Sequence, residues 1–281
     1  RSAKNAKLEA AGAGAIVLKS LFEEQIMMEA DRLRNPSYYP EGSDYLAEYI
    51  RNHKLAEYLE LIKESKKICT IPVIASINCY TDAEWVDFAK QIEEAGADAL
   101  EINILALQSD IQYKYGSFEQ RHIDILSHIK KTIRIPVIMK LGSNFTNPVA
   151  LIDQLYANGA AAVVLFNRFY QPDIDVEKME HTSGDVFSNA SDLSTTLRWI
   201  GISSSLVSKI DYAASGGIHK PDGIVKAILA GASAIEICSA IYQNTNLFVG
   251  EMNRFLSAWM ERKGFKHISQ FKGKLNAKDV E

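Results

Sequence analysis

The sequence predicts a (β/α)₈ barrel, because short apolar segments alternate with amphipathic segments along nearly the whole chain. A motif of glycine, alanine, any residue and alanine, followed by apolar residues, occurs at 12–17, 96–101, 159–164 and 231–236. Its glycine suits the left-handed position just after a helix, and its alanines allow a tight entry into a buried strand. Repeated units of this kind predict a parallel sheet.

A second motif, Ile-Pro-Val-Ile, lies between copies of the first at 71–74 and 135–138, and residues 209–213 occupy the third gap. Proline is tolerated at the start of a strand, so both copies predict strand starts. A doubly wound open sheet is the alternative architecture. The even repeat, and the absence of a G-x-G-x-x-G motif after a first strand, favour the barrel.

The spacing of these motifs predicts the elements in order. The predicted strands lie near residues 14–19, 72–77, 98–103, 136–140, 161–167, 210–215 and 233–238. The predicted helices lie near residues 2–11, 82–95, 118–133, 147–158, 192–207 and 219–230. No strand of the second type precedes the first motif copy, so strand one of the barrel is expected in a longer natural chain. A genuine seven-stranded open barrel is the alternative, and it would leave two strand edges exposed.

Two long segments interrupt the repeat, at 20–68 and 168–191. The first contains predicted helical runs at 21–33 and 45–67. Both segments leave from the carboxyl ends of strands, where barrel active sites are built, so they are expected to wall or cover the site. Neither is long enough for a second domain, and the chain is predicted to be one domain over residues 1–281.

Composition excludes several classes of protein. With 31 basic and 35 acidic residues the net charge is −4, which does not suit a general nucleic-acid binder. No apolar run is long enough to span a membrane. Cys69, Cys79 and Cys238 are too few and too scattered for a disulfide framework or a zinc site, and no metal site is predicted. These features predict a reduced, soluble, cytoplasmic protein with a large core.

Polar residues and glycines stand at the predicted carboxyl ends of the strands. They are Lys19, Asn103, Lys140, Asn167, Ser215, Gly216, Gly217, Cys238 and Ser239. Two lysines and two amides would thus meet at one mouth of the barrel, although a lysine there could also simply reach solvent. Backbone amides near a Gly-Gly turn can approach a ligand closely, and barrels commonly hold phosphate after strands seven and eight. The turn at 216–217 therefore predicts a phosphate-bearing ligand.

The stretches at 14–20, 96–103, 136–141, 214–218 and 271–275 together resemble the dihydroorotate dehydrogenase family of FMN-dependent barrels, which is also related to dihydropyrimidine dehydrogenases. They agree with the family in order and spacing over residues 11–275. The resemblance implies FMN as cofactor, a small dihydropyrimidine-like substrate and a possible homodimer.

The resemblance also implies roles for the flavin-site residues. Lys140 is expected beside flavin N1 and the C2 carbonyl, where a cation stabilises the reduced flavin. Lys19 is expected near the flavin ring and the substrate. Gly216, Gly217 and Ser239, together with the flanking Ser215 and Cys238, are expected at the FMN phosphate. Asn103 and Asn167 are expected to hydrogen-bond the flavin or the substrate.

The chain departs from the family pattern where the substrate proton is removed. The family has Asn-x-Ser-Cys-Pro-Asn after strand four, whereas residues 103–108 are Asn-Ile-Leu-Ala-Leu-Gln, with Ala106 at the position of the base. The family's Asn-x-x-Gly-Leu-x-Asn loop after strand two is also absent. The catalytic base is therefore unknown, and the side chains considered for it are Cys79, Ser109, Tyr113, Tyr115 and Ser117.

Two alternatives to a flavin-dependent oxidoreductase stay open on the sequence. One is a non-redox barrel that acts on a phosphorylated metabolite, with Lys140 or Lys19 as acid, base or Schiff-base amine. The other is a non-catalytic flavin-binding relative.

Overall fold

The computed structural model describes residues 2–22, 41–80, 85–169, 171–184 and 187–277. The chain divides into two compact units, and the boundary between them falls after Ile138. Strand β5 (Val137–Gly142) crosses this boundary.

The first unit alternates strands with helices. Its strands are β1 (Ile16–Val17), β2 (Leu21–Phe22), β3 (Val73–Asn78), β4 (Ala99–Asn103) and the start of β5 (Val137–Gly142). Its helices are α1 (Ser2–Ala10), α2 (Glu41–Ile68), α3 (Trp85–Glu94) and α4 (Ser117–Thr132). Both β1 and β2 pair in parallel with β3, and β3 pairs in parallel with β4.

The second unit continues the same alternation. Its strands after β5 are β6 (Ala162–Asn167), β7 (Pro172–Asp175), β8 (Glu180–Ser183), β9 (Asp211–Ser215) and β10 (Ala234–Glu236). Its helices are α5 (Pro148–Ala157), α6 (Asp192–Leu206), α7 (Asp222–Ala230), α8 (Ser239–Asn244) and α9 (Leu247–Lys263), followed by a 3₁₀ turn at Ile268–Gln270. Strand β9 lies between β6 and β10, parallel to both.

The predicted parallel α/β alternation is confirmed. Each predicted strand coincides with an observed parallel strand, and the predicted helices coincide with helices within about two or three residues at their ends, a normal uncertainty for such boundaries. In β4 all five residues are buried, as a strand covered on both faces requires. No helix in the part of the chain that the structure describes is long and apolar enough to cross a membrane.

One prediction in the first long segment is wrong at its start. The helix expected from Leu21 does not begin there, because Leu21 and Phe22 form β2 and align with Ile77 and Asn78 of β3. The side chain of Leu21 is buried, so pairing with β3 places an apolar residue in the core that an exposed helix would leave in water. The rest of that helical run, to residue 33, lies outside the described residues, whereas the run at 45–67 is confirmed within α2.

The second long segment contains an antiparallel hairpin, β7 and β8, that the sequence did not predict. Its residues are almost all exposed and mostly polar, so they lack the alternation of apolar and polar residues that marks a strand packed on a core. The helices α8 and α9 were also not predicted.

Carboxylates at the ends of two helices bind the backbone just before the two Ile-Pro strands. Glu93 accepts hydrogen bonds from the amides of Arg134 (2.6 Å) and Ile135 (2.9 Å). Glu9 accepts in the same way from the amides of Thr70 and Ile71, and its pKa is lowered by the hydrogen bonds from Thr70. These contacts satisfy amides that would otherwise lie unpaired where the chain enters the sheet.

His122 is a fully buried histidine on α4. Its Nδ1 lies 2.7 Å from the carbonyl oxygen of Phe118, and its ring packs edge-on against the Phe118 ring at 4.7 Å. Burial lowers the pKa of His122 to about 4. His122 is therefore a neutral core residue at neutral pH.

We expect the stability of the fold to fall in mild acid because of His122. The unfolded chain takes up a proton at this residue near its ordinary pKa of 6.5, whereas the folded chain does so only near 4. The free energy of unfolding should therefore decrease as the pH falls through this window, by about 1.4 kcal/mol per pH unit. In urea unfolding between about pH 4 and 6.5, the wild type should lose stability more steeply with falling pH than His122→Leu, by up to about 1.4 kcal/mol per pH unit.

His128 provides the control, because it lies exposed on the same helix. His128→Leu should keep the wild-type dependence on pH. Equal slopes for the wild type and His122→Leu would contradict the assignment of this effect to His122.

Candidate active site

A buried polar network lies at the carboxyl ends of β3 and β4. Asn103 is 3% exposed, and its side-chain nitrogen donates to Ser76 Oγ at 3.1 Å. The same nitrogen lies 3.4 Å from Glu101 Oε1, and Ser76 Oγ lies 2.7 Å from Ser20 Oγ. The parallel register brings these groups together, because Ser76 stands opposite Glu101 and Asn78 stands opposite Asn103.

Tyr58 of α2 completes this network from the helix side. Its hydroxyl donates to the Ser76 carbonyl oxygen at 3.0 Å and accepts from the Ser76 amide at 2.8 Å. Burial raises the pKa of this hydroxyl, and the negative charge of Glu101 adds to the effect. The polar groups around Asn103 are thus held by several contacts within the first unit.

The other site residues predicted in the first unit lie outside this network. Lys19 is exposed in the link between β1 and β2. Ala106 is half-buried in an irregular loop after β4, and its neighbour Leu107 is 71% exposed. Of the side chains considered as a base, Cys79 is buried, whereas Tyr115 is 94% exposed. These positions leave the identity of a base open.

In the second unit, Lys140 forms an ion pair that the sequence did not predict. Its Nζ lies 2.5 Å from Glu236 Oε1, and the two side chains are only 15% and 19% exposed. Lys140 belongs to β5 and Glu236 ends β10. The sequence signal was available, because two of the four Gly-Ala motif copies end in glutamate, Glu101 and Glu236, where the strand is otherwise apolar.

The Gly-Gly turn follows β9 directly. Gly216 and Gly217 have φ values of +94° and +79°, which favour glycine. A Cβ on Gly217 would lie 2.1 Å from the backbone nitrogen of Leu193, whereas a Cβ on Gly216 would meet nothing closer than 3.9 Å. Residue 217 must therefore be glycine, because the backbone at the start of α6 occupies the space that a side chain would need. The close approach that the Gly-Gly turn predicted for a ligand is made here by protein backbone. The carbonyl oxygen of Ser215 accepts from Thr196 Oγ1 at 3.1 Å.

A segment before α6 contacts the start of α8. The amide of Ser188 donates to Ser239 Oγ at 3.3 Å, and Ser188 Oγ lies 2.9 Å from His219 Nε2. Cys238, which precedes Ser239 in the chain, is exposed to solvent. Partial desolvation raises the pKa of the Cys238 thiol; the charge of Lys140 lowers it and that of Glu236 raises it.

Arg168 fixes the same segment to the end of β6. Its Nη1 donates to the Phe187 carbonyl oxygen at 2.7 Å and to Asp192 Oδ2 at 3.0 Å. The side-chain oxygen of Asn167 accepts from the Arg168 amide at 2.9 Å. The segment before α6 is therefore tied to Ser239 and, through Arg168, to the end of β6. Arg168 is a contributor that the sequence patterns did not indicate.

The second unit contains groups of the kind that bind an anionic, phosphorylated ligand. Lys140 supplies an ammonium group, the Gly216–Gly217 turn supplies backbone, and Ser239 supplies a hydroxyl. Because Ser239 Oγ accepts from Ser188 in the described part of the chain, its own proton can still be donated. These donors fit the phosphate of FMN and a flavin ring that gains negative charge when it is reduced.

Comparison with known proteins supports membership of the dihydroorotate dehydrogenase family. A family model described as dihydroorotate dehydrogenase matches residues 8–260. The chain is 26% identical over 271 residues to the catalytic subunit of dihydroorotate dehydrogenase B (NAD(+)) of Thermoplasma volcanium, covering 93% of this chain and 86% of that one. It is 28% identical over 252 residues to a putative dihydroorotate dehydrogenase A (fumarate) of Aeropyrum pernix, covering 85% of this chain and 79% of that one.

A solved structure shows the fold. The chain is similar to dihydroorotate dehydrogenase of Eimeria tenella in complex with ferulenol, with a TM-score of 0.61 and 14% identity. The match covers 79% of this chain and 66% of that one, just under two thirds of its length. It confirms the predicted barrel class. From the family match over most of its length, the chain belongs to the dihydroorotate dehydrogenase family, whose members are oxidoreductases that act on CH–CH groups.

Proposed function

We propose that the protein is an FMN-dependent oxidoreductase that exchanges a hydride between flavin N5 and a small dihydropyrimidine-like substrate. The observation that carries the proposal is the partly buried ammonium group of Lys140 in the same unit as the Gly216–Gly217 turn and Ser239. Family membership supports the type of reaction. The predicted cytoplasmic location and homodimer belong to this proposal and stay predictions.

The residues of the second unit have separate tasks in this proposal. Lys140 lies in a partly buried position where its charge is screened less by water than at the surface, and it would stabilise negative charge on a reduced ring. Ser239 and the amides of the Gly-Gly turn would hold the phosphate. When bound, FMN supplies the acceptor for the two electrons of the hydride.

The proposed contacts with the substrate come mainly from side-chain amides. Asn103 and Asn167 would offer hydrogen bonds to the flavin or the substrate, and Lys19 would supply a cation near them. Asn103 is held in place by Ser76 and Glu101, so it is pre-organised before any ligand arrives. Ala106 offers no lone pair, so oxidation of dihydroorotate lacks the base found in the family.

The ion pair of Lys140 counts against the Schiff-base alternative. An amine must be deprotonated to attack a carbonyl, whereas a carboxylate 2.5 Å away favours the ammonium form. A non-redox barrel with Lys140 as the amine is therefore less well supported than the flavin-dependent reaction.

The proposed function is tested by adding FMN to the purified protein, removing free flavin by gel filtration and recording the visible spectrum. We expect a retained flavin spectrum that is bleached anaerobically by a dihydropyrimidine. In Lys140→Gln, flavin reduction should slow more than binding weakens, because the charge matters most for the reduced ring. A colourless protein would contradict the proposal, and a yellow protein that no dihydropyrimidine bleaches would favour the non-catalytic relative.

Replacement of the two turn glycines should have unequal effects. Gly216→Ala should cost only the strain of a left-handed alanine, about 1–2 kcal/mol. Gly217→Ala should cost clearly more and weaken FMN retention, because its Cβ would collide with the Leu193 backbone. Chemical denaturation and flavin retention of the two variants provide the comparison. Equal losses of stability would mean that α6 does not constrain this turn.

Turnover of dihydroorotate should be low because Ala106 replaces a base. General-base catalysis contributes about 10²–10⁴-fold, so we expect a rate reduced by about that factor relative to a cysteine-bearing relative. Ala106→Cys should recover part of it, whereas Leu107→Cys, on the exposed neighbour, should not. Stopped-flow measurement of the rate of flavin bleaching compares the wild type with the two cysteine variants. An unmodified protein that turns over at about 1–10³ per second would show that another base acts.

A further inference from the structure

We infer that Glu236 is a positioning residue that tunes the bound flavin, by offsetting the positive charge that Lys140 presents and so lowering the reduction potential. This inference rests on the proposed function and adds a residue of this chain to it. Its consequence is a flavin that gives up electrons more readily than one beside an unpaired lysine.

The geometry of the pair supports a strong coupling. Lys140 Nζ and Glu236 Oε1 lie 2.5 Å apart, and both side chains are more than four-fifths buried. In such surroundings charges are screened less than at the surface, so each acts more strongly on the other and on nearby groups. The exposed pairs of this unit, such as Lys226 with Asp222, have side chains that are 52% and 40% exposed.

The two charges act in opposite directions on the nearby thiol of Cys238. The positive charge of Lys140 lowers the pKa of its thiol, and the negative charge of Glu236 raises it. A flavin ring beside Lys140 would likewise meet the negative charge of Glu236 as well as the positive charge of the ammonium group. A ring that gains negative charge on two-electron reduction is therefore stabilised less by this pair than by an ammonium group alone.

A purely structural role for the pair makes a different prediction, and Glu236→Gln separates the two. Glutamine keeps an oxygen that can accept from Lys140 Nζ, so the hydrogen bond can persist while the negative charge is lost. If Glu236 only holds the strand ends together, this variant leaves the flavin potential unchanged. If Glu236 offsets the lysine charge, the potential rises.

The experiment measures the midpoint potential of bound FMN, by equilibration with redox dyes, in the wild type, Glu236→Gln, Lys140→Gln and the double variant. In Glu236→Gln, the ratio of the affinity for reduced FMN to the affinity for oxidised FMN should be at least about tenfold higher than in the wild type. This corresponds to a midpoint potential that is higher by about 30 mV for a two-electron couple. Lys140→Gln should have the lowest potential, and the double variant should lie between the two single variants.

Asp211→Asn is the matched control, because it removes the same charge from an exposed ion pair with Lys272 at the opposite end of β9. Its potential should equal that of the wild type. A Glu236→Gln potential equal to or below the wild type would overturn the inference while leaving the proposed function intact. Failure of the wild type to bind FMN would instead contradict the proposed function, and the inference with it.

Discussion

Strands that are covered on both faces bury mostly apolar side chains, so each polar group on them needs a polar partner, and the organisation of both units follows from this constraint. Where strands begin, carboxylates satisfy the backbone: Glu93 binds the amides before β5, and Asp98 binds the amide of Val73 at 2.7 Å. Partial burial would raise the pKa of Asp98, but hydrogen bonds from Lys66 and Val73 lower it. Where strands end, the polar side chains are left to meet one another, and the candidate site lies there.

The two units use that freedom in different ways. At the ends of β3 and β4 the polar side chains satisfy one another, so Asn103 is rigidly held. At the ends of β5, β9 and β10 one strong ion pair stands beside a hydroxyl and a glycine turn that keep donors for a ligand. Buried networks of the first kind specify a single arrangement, whereas sites of the second kind are suited to binding and to tuning a ligand's charge.

Sequence patterns predicted the elements whose residues repeat, and the physical reason is burial. The Gly-Ala and Ile-Pro motifs mark strands that are enclosed by helices, and enclosure restricts the residues that fit. The residues of the hairpin β7–β8 are nearly all exposed, so burial does not restrict which residues fit there. The short strand at Leu21 pairs with β3, which is distant in sequence, so no local repeat marks it. Similarly, Lys140 was predicted because it ends an apolar strand, but its partnership with Glu236 depends on contact across 96 residues of chain.

The hairpin β7–β8 offers this chain a place to change without loss of stability. Its residues are nearly all exposed, and its two ends meet where the amide of Gly184 donates to the Gln171 carbonyl oxygen at 2.8 Å. A segment whose ends are already joined can be shortened, lengthened or exchanged at little entropic cost. Because Arg168 binds the chain beyond the hairpin to the end of β6, such changes need not move the start of α6. Substitutions and changes of length should therefore be tolerated better in this hairpin than in the buried strands.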